Sequence, residues 1–315
     1  MYVTPKYLYS THKKAKYVEE EKNWMLVVFV SHRVEQLPLL EGLAEKYDTI
    51  VLEEPKNREL KELLEGKMRV EEYVKWLDTP FPLFTRYEAE MLLRLHRIGK
   101  KILQIEPYLE VIEGIHDAVE AGVFEEYIKD ETVEAVREVE RRATEAHLRY
   151  QEVFMKRDFD RLVDATISFA KVDAERFRMR DHMRAKALSK LSNALVEAGQ
   201  MHVILPECLR RMGVEVETIS LPEIAARKCG LKLIHNPGTI LTRKYIMGEK
   251  ISLEEEKLLA AQALIYISVV SKEEMLPTKE NPFPHLADEI RAAKFATKLS
   301  YQDCKKVFEK MWFKR

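Results

Sequence analysis

The sequence predicts an α/β protein. It should hold a parallel-rich central sheet of about five or more strands, with a long helical insertion and a helical C-terminal region. Three observations predict it. Apolar, β-rich runs alternate with helical periods between residues 25 and 107. Residues 108–198 then hold no strand-like run and no proline. Strand-like runs return after Gly199, and the chain is mostly helical beyond Leu221. The reading divides the chain into an α/β core over 1–220, containing the insertion at about 108–198, and a helical region over 221–315.

Residues 1–23 are polar and aromatic without a clear period. Met25 to Val30 is a continuous apolar run, the pattern of a strand buried on both faces, and it ends at Ser31-His32. Val34, Leu37, Leu40, Leu43 and Ala44 then recur on one helical face. Asp48 to Leu52 reads as a second strand that closes on Glu53-Glu54-Pro55. Asn57 to Gly99 is helical, broken at Thr79-Pro80-Phe81-Pro82, with Gly99 just past the last helix. Lys101 to Ile105 is a third strand and closes on Glu106-Pro107.

In the insertion, Glu138/Arg142, Glu145/Arg149 and Glu152/Lys156 are spaced as favourable i,i+4 pairs, so long antiparallel helices are expected. The fourth strand is expected at Met201 to Leu205. A short helix should follow over Pro206 to Met212, and a fifth strand, nearer an edge, over Val214 to Ile219. Helices are expected over 253–270, 286–298 and 301–313, with a three-proline loop at 276–285.

Composition removes several function classes. Lys and Arg number 52 against 53 Asp and Glu, a net charge of -1, which lacks the cationic excess of a general nucleic-acid binder. Charged residues make up 33% of the chain, above the ~25% of typical domains, as on hyperthermophile surfaces. The ten glycines show no G-x-G spacing, so dinucleotide and P-loop fingerprints are absent. Cys208, Cys229 and Cys304 form no CxxC pair, which argues against a thiolate metal site and fits a reducing cytoplasm. The longest apolar run, Leu258 to Val270, is too short to span a bilayer, and the first residues lack an apolar signal core.

Ligands of open α/β sheets sit outside the carboxyl ends of the strands. His32 with Glu35, the Glu53-Glu54 pair, Glu106 and His202 all fall there. Such a cluster suits a divalent ion (Mn²⁺, Co²⁺ or Zn²⁺) or metal-free acid/base work. Successive strand residues face opposite ways, so only one of Glu53 and Glu54 should reach the cleft. Arg176, Arg180 and Arg184 share one helix face beside Asp173 and Asp181. They read as a salt-bridge ladder or as cations aimed at a substrate carboxylate or an oxyanion.

Several stretches together resemble the TraB/Tiki superfamily, which includes erythromycin esterases and ChaN-like haem-uptake proteins. They are the strand ending in His32, the strand ending Leu52-Glu53, Gly99 to Ile105, Arg180-Asp181-His182-Met183, Ala198-Gly199-Gln200-Met201-His202, and Gly213-Val214-Glu215-Val216. The resemblance covers about residues 25–219. Gly199 to His202 matches the second G-x-x-H motif, while Phe29 stands where the first motif has glycine.

The resemblance implies a metal-dependent or histidine-assisted hydrolase of peptide or ester bonds. His32, His202 and Glu53 or Glu54 would hold a metal or orient water. Glu106 or Glu35 would act as base or orienter, and Arg180 would stabilise negative charge beside Asp181 of the same motif. The rival expectation is a non-enzymatic protein that binds a small anion or haem in the same cleft. The helices between Val111 and Ala198 could also pair two copies into a homodimer.

Overall fold

The computed structural model describes residues 23–313. The reading of the first residues as aperiodic and without a signal core therefore falls, except for Asn23, outside the described residues. Five parallel strands form one sheet in the order β3-β2-β4-β1-β5. They are β1 (Trp24–Val30), β2 (Thr49–Leu52), β3 (Lys101–Gln104), β4 (Ala194–Gly199) and β5 (Glu215–Ser220). A short 3-10 turn, Val34–Gln36, leads into α1 (Leu37–Ala44). Then come α2 (Arg58–Leu64), α3 (Val70–Leu77) and α4 (Pro82–Arg97); the break expected at residues 79–82 separates α3 from α4, and a second one, not expected, separates α2 from α3. Gly99 stands at φ +88°, the left-handed position just beyond α4.

β1 and β4 are central and buried on both faces, which is why they read as unbroken apolar runs. Leu26, Val28 and Val30 face one side with Ile50, Leu52 and Leu195, against α1, α2 and α4. Met25, Val27, Val51, Val196 and Ala198 face the other, where the end of α8 and α9 pack. β5 lies at one edge, as expected, and β3 at the other.

The insertion is α5 (Pro107–Glu120), α6 (Phe124–Tyr127), α7 (Glu131–Lys156) and α8 (Phe159–Leu188). α7 and α8 form a helical hairpin. Arg157 takes a left-handed turn at φ +58°, and the Asp158 side chain caps α8 by accepting from the Arg161 N–H. Arg142 bridges the pair, 2.7 Å from Glu175, and also lies 3.7 Å from Glu138. Lys156 pairs with Glu152, whereas Glu145 pairs with Arg141 rather than with Arg149.

The insertion ends earlier than expected, and the fourth strand is Ala194–Gly199, not residues 201–205. Residues 201–204 form the turn into α9 (Leu205–Arg211). Ala194, Glu197 and Ala198 are helix-favouring types, so composition hid the strand. Pairing with β1, from Met25 opposite Ala194 to Val30 opposite Gly199, overrides that propensity.

Beyond β5, α10 (Leu221–Lys228), α11 (Pro237–Met247), α12 (Leu253–Val269), α13 (Pro284–Ala296) and α14 (Tyr301–Phe313) complete the described fold. α11, α12 and α14 bury Leu241, Ala260, Ala261, Leu264 and Phe308 against Leu162, Val163 and Ile167 of α8. Leu286 and Ile290 of α13 pack with Ala225 and Ala226 of α10. No helix among the described residues is long and apolar enough to cross a membrane.

Candidate active site

The carboxyl ends of β1, β2 and β4 meet at a cleft of about 410 Å³. His32, Arg33, Glu53, Arg180 and His202 line it. Helices from the C-terminal region supply Asn236, Tyr266 and Glu289.

The sheet separates two groups of ionisable side chains. Glu53 follows Leu52 and turns to the α8 side. There His202 lies fully buried, its Nδ1 hydrogen-bonded to Asp181 Oδ1 and its Nε2 2.7 Å from Glu53 Oε1. Arg180 Nη2 donates to the same Glu53 oxygen at 3.0 Å, and Arg180 Nε reaches Glu106 at 3.3 Å. Arg184, wholly buried, donates to the carbonyls of Ile105 and Glu197 and lies 3.7 Å from Glu106. Three carboxylates (Glu53, Glu106, Asp181) thus face Arg180, Arg184 and His202.

The electrostatics follow from these contacts. Burial raises the cost of charging Glu53, but His202, Arg184 and Arg180 overcome it and hold the carboxyl well below its usual range. Burial likewise disfavours the His202 cation. Glu53 and Asp181 outweigh it, so the imidazole is held protonated to higher pH than usual.

Gly199 is what admits Glu53. The Gly199 N–H donates to Glu53 Oε2, and a Cβ on Gly199 would stand 3.2 Å from that oxygen and 3.5 Å from His32 Cε1. The glycine of the G-x-x-H stretch therefore serves close approach rather than a special φ.

The other group lies on the α4 side. Glu54 points there, 3.0 Å from Gln104 Nε2. Glu88 of α4 and Glu197 of β4 are buried beside it. Burial, then the repulsion of Glu54 and Glu53, pushes Glu197 up to about 8. Burial and the same kind of repulsion, from Glu197 and Glu54, hold Glu88 well above the usual range. Glu197 Oε1 has no hydrogen bond among the described residues, and His32 Nε2 lies 3.5 Å from it.

His32 occupies a left-handed conformation at φ +48°, unusual for a histidine and of the kind concentrated at functional sites. Its side chain is 40% exposed. Although it reaches the cleft, the surrounding protein displaces water from much of the ring, and this desolvation lowers its pKa. Glu53 opposes this, while His202, Arg184 and Arg33 reinforce it, and the balance favours the neutral imidazole.

Of the expected residues, the structure gathers Glu53, Glu106, Arg180, Asp181 and His202, with His32 at the cleft. It does not gather Glu54 or Glu35. Glu54 falls on the opposite face because side chains alternate along an extended chain. Glu35 lies away from the cleft. Its buried carboxylate accepts the N–H groups of His285 (2.9 Å) and Leu286 (2.8 Å), and contacts His285 Nδ1 at 3.1 Å, at the start of α13. It is a helix-terminus anchor, not a base. Glu35→Ala should therefore cost about 1–3 kcal/mol of stability. The expected result is a lower thermal midpoint by calorimetry, with the cleft chemistry of the folded fraction unaltered.

The arginine ladder divides. Arg176 pairs with Asp173 at 2.7 Å, while Arg180 and Arg184 enter the site. Phe29 packs with the sheet core and is not a cleft residue. Sequence reasoning passed over Glu88 and Glu197. Glu197, a lone acid inside the run Ala194-Leu195-Val196-Glu197-Ala198, was the available signal.

A divalent ion can be tested against this arrangement. Glu53, Glu106 and His202 each offer a ligand atom within 4.8 Å of the others, whereas His32 and Glu54 are not in that set. Both His202 nitrogens are engaged, and two guanidinium groups already neutralise the carboxylates, Arg184 Nη1 lying 3.9 Å from Glu53. An ion would have to displace the His202 Nε2 proton and sit beside two fixed cations. The donor set therefore does not fit a tightly held divalent ion.

Comparison with known proteins adds one relative. An uncharacterised protein of Archaeoglobus fulgidus is 39% identical over 291 residues, 92% of this chain and 100% of that protein. No family model matches the chain, and no solved structure matches it.

Proposed function

The chain belongs to one family with that Archaeoglobus fulgidus protein, and for this member we propose histidine-assisted hydrolysis of an ester or peptide bond. The observation that carries the reading is His32. It faces the cleft, with Nε2 turned to Glu197 and Nδ1 without a protein hydrogen bond among the described residues, and its surroundings favour the neutral imidazole. Nδ1 would take a proton from water while the water oxygen bonds to the carbonyl carbon. Arg180, fixed by Glu53 and Glu106, would stabilise the oxyanion that forms. Collapse of the intermediate breaks the bond to the leaving group, which receives the proton back from His32. His202 and Asp181 would act one step removed, by holding Glu53. The resemblance to the TraB/Tiki superfamily supports the same reaction class.

The test is turnover of p-nitrophenyl esters and aminoacyl p-nitroanilides before and after chelation, with metal content measured after loading with Mn²⁺, Co²⁺ or Zn²⁺ and desalting. Turnover should persist with chelator and with far less than one ion per chain. Turnover that requires about one retained ion would replace this mechanism with a metal-dependent one. Saturable binding of small carboxylates without turnover would favour the ligand-binding protein.

A further inference from the structure

A second recess, about 90 Å³, adjoins the cleft and shares Gln200, Met201, Asn236, Tyr266 and Glu289 with it. Its far wall is aliphatic: Pro222 of α10, Leu233 and Ile234 of the segment before α11, and Ile290 of α13.

Most of the polar side chains around it are already engaged. Asn236 Nδ2 donates to Thr239 Oγ1 at 2.8 Å, and Asn236 Oδ1 accepts the Thr239 N–H at 2.8 Å. Glu289 is 3.3 Å from Arg33, and His235 Nε2 is 3.3 Å from Arg243 Nη1. The Gln200 side chain donates to Ser31 at 2.7 Å. A charged group entering the recess would lose water and gain no free counter-charge, whereas a neutral aliphatic group gains from burial. The volume is also below the ~150 Å³ of an apolar cavity that takes benzene. An aromatic ring is too large, and a short branched chain fits.

We propose that this recess is the specificity pocket of the cleft, taking a short branched aliphatic group, so that the substrates are branched-chain acyl or aminoacyl esters and amides. The substrate assignment rests on the hydrolase reading, while the recess itself can be tested without turnover. Its wall comes from residues beyond 220, which gives the C-terminal region a direct part in selecting the ligand.

Calorimetric titration with acetate, isovalerate and phenylacetate reads the pocket, with the carboxylate left in the cleft beside Arg180. Isovalerate should bind at least about tenfold tighter than acetate, the effect of burying two or three methylene-sized groups. Phenylacetate should show no such gain. Ile234→Trp, in a segment outside any helix or strand, puts a larger ring at the wall of the recess and should abolish the isovalerate preference. Ile234→Ala should enlarge the recess and admit phenylacetate. Circular dichroism of both variants establishes that they are folded.

Equal binding of acetate and isovalerate, no binding of either at millimolar concentration, or a preference that survives in Ile234→Trp would overturn the assignment. Hydrolysis of p-nitrophenyl isovalerate is followed in the same samples. Its absence beside an intact binding preference would overturn the hydrolase reading and leave the recess assignment standing.

Discussion

Glu197→Gln should make the protein more stable at neutral and alkaline pH. The folded state holds the Glu197 proton up to about pH 8, against an ordinary value of 4.5. Between those limits the folded chain keeps a proton that the unfolded chain releases. Stability therefore falls as pH rises, by up to 1.36 kcal/mol for each pH unit. Glutamine keeps the shape of the neutral acid and has no proton to lose. Unfolding free energies of wild type and variant, from denaturant titrations, should coincide near pH 4.5 and diverge above it, reaching a few kcal/mol in favour of the variant near pH 8. Parallel curves would show that Glu197 is ionised in the fold and that another group compensates it. A cost of this size in the centre of a parallel sheet, 3.5 Å from His32, is what a site imposes on a fold, not what packing selects.

The same cost explains what could and could not be read from the chain. β1 was legible because an unbroken apolar run has few alternatives in an α/β protein. β4 was not, because its single acid, Glu197, and its two alanines, Ala194 and Ala198, suggest helix until β1 supplies a partner. Local propensity lost to pairing at the strand that carries the site, the place where local and global preferences are expected to disagree.

Side-chain destinations divided in the same way. Alternation alone shows that Glu53 and Glu54 part company, but deciding which reaches α8 needs the sheet register, visible only in the pairing of β2 with β4. Arg180 and Asp181 were legible as a motif, and their partners were not. Asp181 was expected to face an arginine, yet it holds His202, because the turn at residues 201–204 folds His202 back beneath β4. Glu35 misled for a similar reason. Three residues past a strand end is cleft distance along the chain, but its true neighbours lie some 250 positions away at the start of α13.

His32 and His202 should fail in different ways, and that contrast separates the base from the scaffold around it. His32→Asn removes the imidazole while placing a residue that tolerates the left-handed backbone at φ +48°. The side chain is partly exposed, so the thermal midpoint should move little. The rate of hydrolysis should fall about 10²–10⁴-fold, the usual contribution of a positioned general base. In wild type the rate should rise with pH through the lowered pKa of His32, below 6.5, and then level off. In His32→Asn that rise should vanish.

His202→Ala instead leaves Asp181 and Glu53 without their shared cation in a dry site, at a cost of about 3–5 kcal/mol in stability. The Glu53 contribution is complete above the ordinary carboxylate range, near 4.5, and is lost as pH falls through its depressed pKa. The His202 contribution is complete below 6.5 and is lost as pH rises through its raised pKa. Destabilisation by His202→Ala should therefore be greatest between about pH 4.5 and 6.5 and shrink above that window. If His32→Asn proved as unstable as His202→Ala, or kept its pH-dependent rise in rate, His32 would belong to the scaffold and the base would have to be sought elsewhere in the cleft.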